Sequence, residues 1–209
     1  MDSFFKNIKD SKYLNNQINE NTCVNINIVL AAGAAVGKTA FILRLLYENY
    51  KDYMKKDTFL HATCGYSSYL LALNYRDINI ILTIWDTEWL TSRLFHIQKR
   101  LFENADIVFL LYESSSSYTF TSIKDKIYFF EVNCKRNAIF ALICNKYDKC
   151  RNEISDEEAL EFADINNMLF FHLSLHEKNE TGIKELFETV LNEYFSRKEK
   201  EQKEYDTYY

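Results

Sequence analysis

Apolar positions along the chain fall into two alternating spacings. NINIVLA (25–31) is a short apolar-rich run of β-branched character, a strand, and DIVFLLY (106–112) and AIFALIC (138–144) are near-continuous apolar runs, the pattern of strands covered on both faces. YLLALNY (69–75), an Arg76-Asp77 turn and NIILTIW (79–85) read as a hairpin, and LFFHLSL (169–175) as a last strand. Between these runs the spacing turns helical. TAFILRLLYENY (39–50) carries Phe41, Leu43, Leu45, Leu46 and Tyr50 on such a spacing, and SIKDKIYFFEVNC (122–134) has the same periodicity. SDEEALEFADIN (155–166) opens on a capping box, Ser155 followed by Glu158, and GIKELFETVLNEYFSR (182–197) is an amphipathic final helix. Strands alternating with helices predict an α/β fold with helices on both faces of the sheet.

Length and composition narrow this picture to one domain. The 209 residues, 47% hydrophobic and 16% aromatic, supply ample core for a domain over 23–197. It is flanked by a polar extension (1–22), loose or helical, and a charged, solvated tail (198–209). The net charge of −5 argues against a nucleic-acid partner. The five cysteines form no CxxC pair and are odd in number, which fits free thiols in a reducing cytosol. No apolar run approaches the roughly 20 residues of a membrane span. The first residues are too polar for a signal peptide and lack a myristoylation glycine, and the last ones carry no cysteine for prenylation.

Two short motifs bring in chemistry. Between the first strand and the first helix lies AAGAAVGKTA (31–40), close to the phosphate loop G-x-x-x-x-G-K-[ST] but with Ala32 at the first glycine. A backbone turn at a helix N-terminus aims several N–H groups at one anion, so Gly33, Ala34, Ala35, Val36, Gly37, Lys38, Thr39 and Ala40 form a candidate phosphate cradle. Lys38 would reach the outer phosphates and the Thr39 hydroxyl would ligate Mg²⁺. After the strand 138–144 comes Asn145-Lys146-x-Asp148. A carboxylate at Asp148 can accept from both guanine N1–H and N2–H₂, an arrangement adenine cannot offer. Asn145 would brace the loop and the Lys146 stem would lie along the base. By average composition G-K-[ST] arises by chance in roughly one chain in ten of this length, and N-K-x-D in only a few per cent.

With both motifs in this order, the sequence resembles the Ras superfamily of small GTPases, the Rab branch above all. INIVLAAGAAVGKTAFILRLL is similar to the Rab first strand, loop and helix, and NIILTIWDT to the third strand with its IWDT ending. LEFADINNMLFFHLSLHEKNETGIKELFETV resembles the family's last two helices and the strand end between them. The resemblance spans about residues 24–196. It implies a phosphate-loop nucleotidase fold: a mostly parallel six-stranded sheet with one antiparallel hairpin strand. It implies GTP or GDP with Mg²⁺ as ligands, protein effectors or regulators at the switch face, and a part in vesicle trafficking. Carried across residue by residue, Tyr50 would pack on the guanine. Thr63 of Thr63-Cys64-Gly65 would belong to the first switch and complete the Mg²⁺ environment. Asp86 would accept from a Mg²⁺-bound water, and Ser174, Leu175 and His176 would face the guanine carbonyl, largely through backbone N–H.

The chain also departs from that family. Between Tyr50 and Thr63 it is several residues longer. Where the second switch should continue with glycine and glutamine it has Glu88-Trp89-Leu90. Leu90 has neither donor nor acceptor with which to orient an attacking water, so GTP hydrolysis is expected to be slow or absent. In the phosphate loop, Ala32, Ala34 and Ala35 replace residues usually Gly, Ser or Gly, and an alanine where φ must be positive costs roughly 1 kcal/mol. WLTSRLFHIQKRLF (89–102) reads either as a short helix packed on the core or as a permanently formed partner surface. Two other readings stay open. One is a pseudo-GTPase interaction scaffold that holds nucleotide constitutively or not at all; the other is an adenine-specific phosphate-loop enzyme, which N-K-x-D disfavours. A cytoplasmic protein reaching an intracellular membrane only through a partner fits the absence of a lipidation site.

Overall fold

The computed structural model describes residues 5–6, 23–46, 66–87, 95–146, 153–174 and 181–208. In chain order the strands are β1 (Phe5–Lys6), β2 (Cys23–Ala31), β3 (Tyr66–Tyr75), β4 (Ile78–Thr87), β5 (Ile107–Glu113), β6 (Ile139–Asn145) and β7 (Leu169–His172). The helices are α1 (Lys38–Leu46), α2 (Phe95–Asn104), α3 (Ser117–Lys124), α4 (Ile127–Asn133), α5 (Asp156–Ile165) and α6 (Thr181–Tyr208). One sheet runs β1-β3-β4-β2-β5-β6-β7. Neighbours from β4 to β7 are parallel, whereas β3 pairs antiparallel with β4. The six-stranded, mostly parallel sheet expected from the sequence is therefore present, with its one antiparallel hairpin.

The period-2 alternation of the strands sorts side chains to two faces. Ile26, Ile28 and Leu30 of β2, with Ile107, Phe109 and Leu111 of β5, build the core under α1 and α6. Val29 and Ala31, with Val108, Leu110 and Tyr112, build the core under α2 to α5. Phe41 of α1 ties the first layer together, lying 6.0 Å from the Phe109 ring and stacked 6.3 Å from Phe187 of α6. The turn between β3 and β4 is Arg76-Asp77, with φ of 51° and 64°. Two successive positive φ values are the turn geometry that follows the twist of paired strands.

Three local features differ from the sequence expectation. Residues Phe5 and Lys6 of the N-terminal extension pair antiparallel with Leu73 and Ala72, adding a short seventh strand at the β3 edge. The single helix expected over 122–134 is two, α3 and α4, broken at Asp125-Lys126. The last helix continues past residue 198 to Tyr208 although 198–207 are exposed. Side chains there pair one turn apart, Lys198 with Glu201 at 2.9 Å and Gln202 with Asp206 at 2.9 Å, the contacts that support a solvated helix. The N-cap half of the box expected at the start of α5 is present, Glu158 N donating to Ser155 Oγ at 3.2 Å, while the Glu158 carboxylate accepts from Lys124 Nζ at 2.7 Å.

Candidate functional site

The parallel pairing of β2 with β4 and β5 brings three strand ends to one end of the sheet. Leu30 lies in register with Asp86, and Ala31 with Leu110, so the loop 32–37 rises beside the end of β4. Ala32 is fully buried and belongs to the core under α1 and α6. Its φ is not positive; among the described residues the left-handed positions of this loop are Ala35, at 61°, and Gly37, at 100°. The missing first glycine thus costs no backbone strain, and its methyl group is core. The strain expected of the alanine substitutions falls on Ala35 instead, at roughly 1 kcal/mol. Gly33 faces open space, with nothing within 4 Å of where a Cβ would stand.

Lys38 begins α1 and turns back across the loop, its Nζ donating to Ala32 O and Gly33 O at 3.0 Å each. The ammonium is thereby held over the loop with 9% of the residue exposed. Two further carbonyls are tied from the other side. Asn145 Nδ2 donates to Val36 O at 2.6 Å, and Lys146 Nζ donates to Ala35 O at 2.8 Å. In a planar trans peptide the N–H points opposite to the C=O. Holding the carbonyls of Ala35 and Val36 towards β6 therefore turns the N–H groups of Val36 and Gly37 to the other side of the loop. A loop so arranged at a helix N-terminus is an anion cradle.

Thr39 Oγ1 donates to Asp86 Oδ2 at 2.7 Å, and Asp86 is 1% exposed at the end of β4. Thr87 fixes that end by donating its Oγ1 to Leu30 O at 2.9 Å. A hydroxyl and a carboxylate this close are hard oxygen donors of the kind Mg²⁺ takes. Among the described residues no group of three or more His, Cys, Asp or Glu could hold a metal.

Across the loop from Lys38, Asn145 closes β6 at 1% exposed and Lys146 follows with φ of 58°. Ser114, after β5, grips both: its N donates to Asn145 O and its Oγ to Lys146 O, each at 3.1 Å. Lys146 Nζ also lies 2.7 Å from Glu113 Oε2. Asn145 Oδ1 and Ser174 Oγ are buried and have no hydrogen-bond partner among the described residues. Leu173 N donates to Cys144 O at 2.8 Å, which carries Ser174 to the same end of the sheet as Asn145. Burial pushes the Cys144 thiol up to about 11, and it hydrogen-bonds with Tyr112.

Of the residues singled out from the sequence, the structure gathers Gly33 to Ala40, Asp86, Asn145, Lys146 and Ser174 at one end of the sheet. Tyr50, Thr63, Asp148, Leu175 and His176 lie outside the described residues, as do Glu88, Trp89 and Leu90. Sequence reasoning missed Glu113 and Ser114. A lone acid ending an apolar strand belongs to no motif, and only its register beside Asn145 reveals it.

A sequence model of the Ras family matches residues 27–196. The chain is similar to the Ras-related protein Rab-18-B of Danio rerio, 26% identical over 175 residues that cover 83% of this chain and 81% of that relative. It is likewise similar to the Ras-related protein Rab-18 of Lymnaea stagnalis, 26% identical over 167 residues, 79% of this chain and 78% of that one.

Proposed function

This chain belongs to the Ras family, as a divergent, Rab-like member, and from that premise we propose that it is a guanine-nucleotide switch which binds GTP and GDP with Mg²⁺ and turns GTP over slowly or not at all. The observation that carries the proposal is the tie from Asn145 and Lys146 to the carbonyls of Val36 and Ala35. It joins a base-reading loop to a phosphate loop, so that one ligand with a guanine at one end and phosphates at the other would satisfy both. Lys38 would hold outer phosphates, and Thr39 and Asp86, with Thr63, would hold Mg²⁺. Bound Mg²⁺ would neutralise charge on the phosphates. Asp148 and the 174–176 loop would read the guanine edge.

Slow turnover rests on Trp89 and Leu90, which stand where the family has glycine and glutamine. Intrinsic hydrolysis by such proteins is already on the order of 10⁻⁴ s⁻¹, and Leu90 has no polar atom with which to orient water. Any hydrolysis would be in-line attack of water on the γ-phosphate, accelerated by positioning and electrostatics. Partners would be effectors or regulators at the switch face. A role in vesicle trafficking follows from the Rab resemblance, with membrane contact through a partner; no helix among the described residues is long and apolar enough to cross a membrane.

The test is to denature the purified protein, identify the released nucleotide by chromatography, and follow GTP-loaded protein over several hours. Retained guanine nucleotide with GTP persisting for hours is expected. Rapid conversion to GDP would overturn the reading of Trp89 and Leu90. ATP in place of GTP or GDP would overturn the guanine assignment. Lys38→Ala is expected to lose nucleotide retention. If it changes neither nucleotide content, melting temperature nor partner binding, the protein is a scaffold rather than a switch.

A further inference from the structure

We propose that Glu113 is a positioning residue for the phosphate loop, holding through Lys146 the left-handed backbone that Ala35 adopts without a glycine's freedom. The inference rests on the guanine-nucleotide reading above and adds to it how this chain keeps its altered loop in shape.

Ala35 sits at φ 61°, a conformation L side chains rarely adopt and one that persists only where the surroundings over-determine it. Lys146, which reaches Ala35, is itself left-handed at φ 58°. Two strained non-glycine residues therefore meet across one ammonium group, which lies 2.8 Å from Ala35 O and 2.7 Å from Glu113 Oε2. Lysine is a flexible stem with a strongly hydrated head, and a bond to one exposed-loop carbonyl does not fix it. The carboxylate does, because it is itself held. Ser115 Oγ donates to Glu113 Oε1 at 2.8 Å, and Glu113 N donates to Thr119 Oγ1 at 3.0 Å. The Glu113 side chain is only 13% exposed, against 31% for Lys146. The bridge thus runs from the end of β5 to the tip of the phosphate loop, and its far end sets the Ala35–Val36 peptide, whose N–H belongs to the anion cradle.

The sign of the effect separates this from simple electrostatics. Removing a negative charge beside a phosphate site would by itself tighten anion binding. Loss of a tether would loosen it. The experiment loads the full chain with fluorescently labelled GDP in Mg²⁺ and follows its release under excess GDP. The proteins compared are the parent, Glu113→Gln, Glu113→Asp, Ala35→Gly and the Ala35→Gly/Glu113→Gln pair. Glu113→Gln is expected to speed release about tenfold, the size of one lost charge-assisted hydrogen bond, and Glu113→Asp to stay near the parental rate. With glycine at 35 the left-handed backbone needs no tether, so Glu113→Gln should then change release by less than about threefold, the mark of coupled sites. Release from Glu113→Gln at or below the parental rate overturns the proposal, as does the same factor in both backgrounds. If Glu113→Gln alone does not fold, recovery of folding in the double variant supports the tether and failure to recover overturns it. A parent that retains no labelled GDP would overturn the guanine-nucleotide reading instead. The coupling would then be read from the melting temperatures of the same proteins, where a loss undiminished by Ala35→Gly sinks it.

Discussion

Gly182 opens the last helix with no room for a side chain: a Cβ there would stand 2.7 Å from Leu173 Cδ2 and 2.9 Å from His172 O. The leucine end can rotate away, but the carbonyl is backbone at the end of β7 and cannot. In an unconstrained helix Gly→Ala gains up to about 1 kcal/mol. Here the clash decides the sign, and Gly182→Ala is expected to destabilise by about 1–3 kcal/mol, as overpacking does. Urea unfolding at constant slope measures it, and a stabilised variant would show that helix and strand separate easily. The same contrast runs through the site. Ala32 and Ala35 look alike in the sequence, yet one is core and the other is strained. The positions of Lys38 and Thr39 at a helix start and of Asn145 at a strand end were legible from the motifs that hold them, and that of Asp86 from the family resemblance. Glu113 was not, because its role depends on a strand register 32 residues away in sequence rather than on its neighbours.

Elements were legible in proportion to how much apolar surface they bury. β2, β5 and β6 are near-continuous apolar runs with few turn signals inside them, and each appears within a residue or two of its expected bounds. β1 is two residues long and carries no periodicity, so only the tertiary pairing with Ala72 and Leu73 defines it. What it covers matters more than its length. β3 is the sheet's edge in the domain, and its outer row of N–H and C=O groups is a template for another strand. Tyr66 and Leu70, 47% and 52% exposed, lie on that strand beyond the stretch β1 covers. Deleting residues 1–22 is expected to leave the domain folded, at a stability cost of about 1 kcal/mol or less for the short pairing lost, but to make it self-associate. Sedimentation velocity over a concentration series checks this. A truncated chain that stays monomeric throughout would mean that β3 needs no cover.

At the scale of the whole molecule, the core under α2 to α5 makes the protein sensitive to alkali. Tyr112 and Cys144 sit opposite each other in the β5–β6 ladder, in the core under α2 to α5. Burial is the main reason both are hard to ionise: the Cys144 thiol is pushed up to about 11, and the Tyr112 hydroxyl is raised as well. Cys134, packed against the same core, is pushed up to about 12, again by burial. In the unfolded chain these groups return to ordinary values, near 8.5 for a thiol and 10 for tyrosine. Below about pH 8.5 both states hold these protons, and the groups leave stability unchanged. Above it the unfolded chain releases protons that the folded chain keeps, so the unfolded state binds fewer and stability falls as pH rises. The loss continues until the folded thiols ionise, near pH 11 for Cys144 and pH 12 for Cys134, at up to about 1.4 kcal/mol per pH unit for each group. The strands concerned end on Glu113 and Asn145, so nucleotide release should accelerate over the same interval. Cys144→Val isolates the contribution of this thiol. A buried apolar side chain of similar volume has no proton to lose, so the variant's stability should fall less steeply between pH 9 and 11 than the parent's. Urea midpoints measured from pH 7 to 11 decide the matter, and equal slopes for parent and variant would show that Cys144 ionises as easily in the folded protein as in the open chain.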